Sequence, residues 1–247
     1  FFNKKKFFMF YTLIFTLIVS FTIFIAAEKT SIALHFISLI LLIYFFDLSK
    51  KYKFILFLVL IFFTFVTIFF NSHIKQRVIK QALINSQCLT LDDRCIKGDK
   101  YLFSKVHTAH YLTSINIFIE KPIIGSGIKT FRYLCNKKKY QVNRIYKDFG
   151  FWETGCSTHP HNTYIQALSE IGIIGFLFLI SLFIYISLRL FRHKIEDKQE
   201  EYFYRSVLIC LFINFFPFAP SGNFFNNYIS MMYALPLGFM VSNMKMK

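Results

Sequence analysis

Acidic residues are scarce in this 247-residue sequence: 13 Asp and Glu stand against 29 Lys and Arg, a formal net charge of +16. Such an excess first suggests nucleic acid, but the placement of the charges, set out below, argues against it. No CxxC or HExxH spacing occurs, so the common zinc sites have no ligand pattern here. No carboxylate stands in the middle of a long apolar run, and Pro217 and Pro236 fall nearer the ends of theirs. The usual marks of an ion or substrate path through a membrane are therefore missing. Segment 7–27 is too long for a signal-peptide core and lacks a small-residue cleavage site. With Phe1 in place of an initiator Met, the expectation is the C-terminal part of a longer protein without a cleavable signal.

What the sequence does have is long apolar runs. Six of them, at about 7–27, 30–48, 53–70, 164–188, 204–220 and 225–243, approach or reach the ~18–20 residues that cross a bilayer as a helix. The second is the weakest, its uncharged core being short. The 35 Phe and the surplus of Lys over Arg fit an A+T-rich coding sequence as well as any function.

Charge then orients the runs. Alternate short segments hold Lys4, Lys5, Lys6; Lys50, Lys51, Lys53; Arg189, Arg192, Lys194, Lys198, Arg205; and Lys245, Lys247, whereas the opposite short loops hold only Lys29 as a basic residue. The positive-inside rule places the basic set, and both termini, in the cytoplasm. The expected fold is an all-α, polytopic transmembrane helical bundle. It has three helices in 1–70, a large outward-facing loop over 71–163 and three helices in 164–247. Much of the net charge is thus topological, and no nucleic-acid partner is expected.

The outward loop keeps an excess of basic residues that orientation does not require, since long loops translocate largely regardless of charge. A basic loop lying on a membrane suits an anionic ligand at headgroup level, or anionic lipid in general. Cys88, Cys95, Cys135 and Cys156 all fall in it, an even set that in an exported segment suggests two disulfides. Three pairings exist; Cys88–Cys95 and Cys135–Cys156 are favoured because each closes a local loop. Histidines at 107, 110, 159 and 161 raise zinc as an alternative use, but without ligand spacing no metal is expected. Segment 104–120 places Val106, Tyr111, Leu112, Ile115, Phe118 and Ile119 near one helical face, ended by Lys121-Pro122. Beyond it, Gly125-Ser126-Gly127 allows a tight turn or close approach to a ligand. Lys129 and Arg132, three apart, would share a face of a helical turn. Glycine amides plus two cations suit a phosphate, and an ordinary turn suits the same residues.

The stretch His159-Pro160-His161-Asn162 stands at the mouth of the fourth run, with Glu170, Gly172 and Gly175 following. His161-Asn162, nine residues, then Gly172-Ile173-Ile174-Gly175 resembles the His-Asn/Ser/Gln–x9–Gly-x-x-Gly signature of the O-antigen ligase and O-antigen polymerase family. Lys121-Pro122-Ile123-Ile124-Gly125-Ser126-Gly127 resembles that family's upstream Pro-x-x-Gly-x-Gly element. The resemblance implies a GT-C-like, metal-independent membrane glycosyltransferase of the bacterial inner membrane, needing no cofactor. Its donor would be an undecaprenyl-pyrophosphate-linked glycan, and its acceptor a lipid-linked glycan, lipid A core or a protein. Many members carry Arg where this chain has His107, so the donor-binding role falls on Arg132, Arg144 or Lys129, with His107 a further candidate.

That chemistry asks for a base and for cations. His161 is the natural base, because imidazole titrates in the right range. Arg132 and Arg144 are candidate clamps, because guanidinium forks match phosphate oxygens. Asn162 would cap a helix or bond the acceptor. Glu170 reads as a helix-boundary residue, and His159 as an exposed or turn-stabilising one. A membrane transporter and a non-catalytic polysaccharide assembly protein are the competing readings.

Overall fold

The computed structural model describes residues 4–26, 28–47, 49–70, 105–142, 154–192 and 195–245. Arg144, Cys88 and Cys95 lie outside these residues, and so do the roles expected of them. Among the described residues there is no strand, and the chain forms two units, residues 1–87 and 88–247.

The first unit holds α1 (Lys4–Ala26), α2 (Lys29–Phe45) and α3 (Lys50–Phe70), with α1 packed on both others. These helices are apolar nearly all round, so a polar pair carries more weight than any face. Buried Ser20 and His35 meet across α1 and α2, Oγ to Nε2 at 2.9 Å, and Ser20 also donates to the Thr16 carbonyl.

The second unit holds α4 (Lys105–Glu120), the short α5 (Phe131–Leu134), α6 (Thr163–Arg192), α7 (Lys198–Asn214) and α8 (Asn227–Lys245). α4 and α5 pack on α6 and on each other, and α7 lies between α6 and α8. α4 stops before Pro122, whose ring disfavours helix at the preceding residue. α7 starts at Asp197, whose carboxylate accepts from the Gln199 and Glu200 amides at 2.8 Å, with Glu200 and Glu201 in the first turn to suit the helix dipole. α6 is the helix among the described residues that is long and apolar enough to cross a membrane.

Three details depart from the sequence expectation. α7 does not continue to residue 220: it ends at Asn214, ahead of Pro217, and the apolar segment 215–223 leaves the helix and returns to the start of α6. Pro236 lies well inside α8. α6 is broken at Gly172 (φ 72°, ψ −167°), so a short first piece carries the signature residues and a longer second piece carries the apolar run.

Candidate functional site

The break in α6 and the upstream glycine loop are one device. The loop runs alongside the break and satisfies the backbone groups that the interrupted helix leaves open. Ser126 N–H donates to Ser169 O at 3.0 Å, Gly127 N–H to Glu170 O at 2.9 Å, and Ile173 N–H to Pro122 O at 2.8 Å. A Cβ on Gly125 would lie 2.4 Å from the Glu170 carbonyl carbon, and one on Gly172 would lie 2.3 Å from the Ile123 oxygen. Both residues also hold positive φ, so glycine is required on two counts. The Ser126 and Gly127 amides are therefore spent on α6. This corrects the picture of glycine amides cradling a phosphate.

Glu170 completes the lock. Its side chain, 1% exposed, accepts from Lys129 N–H (3.0 Å), Phe131 N–H (3.1 Å) and Gln166 Nε2 (3.0 Å). Gln166 in turn donates to Asn223 Oδ1 at 2.9 Å and accepts from the Phe224 amide at 3.0 Å. The carboxylate thus holds the start of α5, and through it Arg132, against α6 and segment 223–224. Glu170 is structural, as its distance from His161 along the helix suggests. Lys129 is corrected: with φ 59° it precedes α5 in a left-handed turn, so it does not share a helical face with Arg132, and its side chain is exposed.

The histidines converge. The His161 ring centroid is 4.1 Å from His159, 5.4 Å from His110 and 5.7 Å from His107, and His107 stacks on Tyr111. Each is held by different chain. His110, buried on α4, bonds through Nδ1 to the Gly155 carbonyl at 2.9 Å. A carbonyl only accepts, so His110 Nδ1 is the donor. By the same logic His159 donates from Nε2 to the Ser221 carbonyl at 3.3 Å and accepts at Nδ1 from Thr158 Oγ1 at 2.9 Å. His159 is therefore turn-stabilising and half-buried. His161 sits at φ 59°, its Nε2 3.2 Å from Ser157 Oγ and its carbonyl accepting from Ser221 N–H at 2.9 Å. Among the described residues, no three of His, Cys, Asp and Glu stand where they would hold a metal ion.

The electrostatics follow from the crowding. Burial lowers the His161 pKa to about 4, and the neighbouring His159, His110 and His107 add to the effect. Burial likewise lowers His107, with His110 contributing, and lowers His159, with His110 and Arg132 contributing. His107, His159 and His161 are thus each biased towards the uncharged imidazole. Arg132 stands close enough to act on His159, and its Nε is buried with no hydrogen-bond partner among the described residues.

Asn162, 4% exposed, is used up by the fold. Its Oδ1 accepts from the Tyr164 and Ile165 amides at 3.0 and 3.1 Å, and its Nδ2 donates to the Pro217 and Ala219 carbonyls at 2.8 and 3.3 Å. It caps α6 and ties segment 217–219 to it, with no bonding atom left over. Cys135 and Cys156 are bonded, joining the end of α5 to the chain just before Ser157. Sequence reasoning named His110 only as one of four histidines open to zinc, and overlooked Gly155, Ser221 and Gln166. Gly155 alone left a trace, as a glycine beside Cys156; a Cβ there would meet Thr113 Oγ1 at 2.1 Å.

The O-antigen ligase family profile matches residues 14–180. A Rickettsia conorii (strain ATCC VR-613 / Malish 7) protein, named provisionally as a polysaccharide ligase, is 30% identical over 124 residues, covering 48% of this chain and 28% of the relative. The chain thus aligns with less than a third of that relative's length. No solved structure matches it. With a match across well over half its residues, on top of the His161–Gly175 signature and its glycine lock, the chain belongs to the O-antigen ligase family.

Proposed function

We propose that the chain is part of a polytopic inner-membrane enzyme whose outward-facing loop, over 71–163, carries the catalytic residues. It would move a glycan from undecaprenyl pyrophosphate to a sugar hydroxyl on a lipid-linked or lipid A core acceptor, as a ligase or polymerase. One observation carries the reading: an imidazole kept neutral by burial, with its histidine neighbours adding to the effect, beside a guanidinium whose buried Nε has no hydrogen-bond partner among the described residues. The acceptor oxygen attacks the anomeric carbon while His161 takes its proton. The bond from that carbon to the pyrophosphate oxygen breaks, and the lipid pyrophosphate leaves with the electron pair. Arg132 offers a charge-assisted contact to that leaving group. The cations come from side chains, so transfer should survive a chelator; activity lost to EDTA and restored by Mg²⁺ or Mn²⁺ would refute that part.

The transporter reading gains some support from the Gly172 break and from Pro236, since broken helices line transport paths. The break, however, is sealed by the backbone of 122–127 and opens onto no path there.

The deciding experiment uses the protein in liposomes with a lipid-linked donor and a gel or mass readout of transferred glycan. His161→Asn suits it better than His161→Ala, because Asn tolerates the left-handed backbone. Turnover should fall at least about 10²-fold while donor binding persists. Arg132→Ala should weaken donor binding instead. Full activity in both variants would place the chemistry elsewhere.

A further inference from the structure

On α4 and α5 lies a second concavity, of about 250 Å³, formed by residues 117–140 and lined by none of the histidines. It is smaller than the ~300–1,000 Å³ that takes a drug-sized ligand, so it fits one small ring rather than a chain of them. Its floor includes Ile117 and Leu134, and its wall includes Tyr133, 71% exposed, and the buried Tyr140. Such rings and aliphatic carbons suit the apolar face of a flat, hydroxyl-rich ring.

The polar groups point to the same class of ligand. Ser126 Oγ donates to Ser169 O at 2.7 Å, Thr130 Oγ1 donates to Gly127 O at 2.6 Å, and the two hydroxyls contact each other at 2.7 Å. Their protons are engaged within the protein, so what they offer is lone pairs. Glu120, bonded by Lys139 and the Tyr140 hydroxyl, also only accepts; these bonds hold its pKa below the usual carboxylate range. A bare phosphate would meet lone pairs and a carboxylate. A sugar brings hydroxyl donors that these acceptors want. Lys121, Lys137 and Lys139 outnumber Glu120 at the rim, which favours a ligand with an acid group.

We propose that this pocket binds one acidic sugar residue, its hydroxyls on Ser126, Thr130 and Glu120, its ring against Tyr133, and its acid group at Lys121 and Lys137. The proposal does not rest on the transfer reading, and its test needs no donor. The full chain in detergent micelles would be titrated with D-glucuronate and D-glucose, read by saturation-transfer NMR, and with inorganic phosphate, read by ³¹P line broadening and by its displacement of glucuronate. Glucuronate should saturate, with glucose and phosphate each about tenfold weaker or more. Tyr133→Ala and Lys137→Ala should each weaken glucuronate about tenfold, with an unchanged thermal melt because both side chains are exposed. Equal binding of glucose would overturn the acidic preference. Phosphate binding tighter than glucuronate would replace the sugar with a simple anion site. Glucuronate binding unmoved by the two substitutions, or absent, would sink the proposal.

Discussion

At His161 the physical argument concerns which protonation state the fold prefers. Its pKa, lowered from 6.5 to about 4, means the folded protein binds fewer protons than the unfolded chain between those values. Stability from this group is therefore present above pH ~6.5 and is lost as pH falls towards ~4. A thermal melt should move down on acidification across that window, and His161→Asn should flatten the slope; an unchanged slope would contradict the crowding. Activity should show the same group differently. The acid limb of kcat/KM, which reports free enzyme, should lie near the depressed value, whereas that of kcat should lie higher, because a bound anionic donor favours imidazolium. Coincident limbs would mean that the donor does not sit beside this imidazole. His161, Arg132 and Asn162 were legible in the sequence because a signature or a residue type marks them. The partners of His110, His159 and Gln166 were not, since they lie 45, 62 and 57 residues further along the chain, and no local pattern encodes a partner so far away.

At the level of elements, the glycine loop and the broken helix act as one part. Gly125→Ala sets a methyl against the backbone of Glu170 and forces a left-handed turn on alanine, which should cost about 3 kcal/mol or more. Gly238→Ala in α8 is the control: a Cβ there meets nothing within 4 Å, so the melt should hold or rise slightly. If both variants melt alike, the lock contributes little. The Cys135–Cys156 bond closes a loop with a separation of 21 residues, worth about 3 kcal/mol in chain entropy. It also ties Arg132's helix to the chain that leads into His161. Reduction should therefore lower the melting temperature and weaken donor binding before it changes the proton-transfer step. The helix 105–120 and the six apolar helices were readable from periodicity and length. The end of α7 was not, because 215–220 is apolar enough to read as span, although Pro217 and the pull of Asn162 on its carbonyls take it out of the helix.

For the whole molecule, the testable quantity is sidedness. Single cysteines placed at 85–150 should react with an impermeant thiol reagent from outside, and those at 193–200 should not; the reverse pattern would end the outward-site reading. The all-helical class was legible because six long apolar runs are a whole-chain signal. Assembly was less so, since it depends on which backbone groups seek each other. That dependence sets a timetable. The amides of Ser126 and Gly127 find their acceptors in residues made some forty positions later, and His161 and Gln166 find their hydrogen-bond partners in 221–224, later still. A ribosome stalled before residue 221 has made the histidines of the site but not the segment that bonds His159 and His161. The histidine cluster is thus fixed in place only once residues 221–224 have been made, and a copy stalled before them holds the histidines without the segment that positions them.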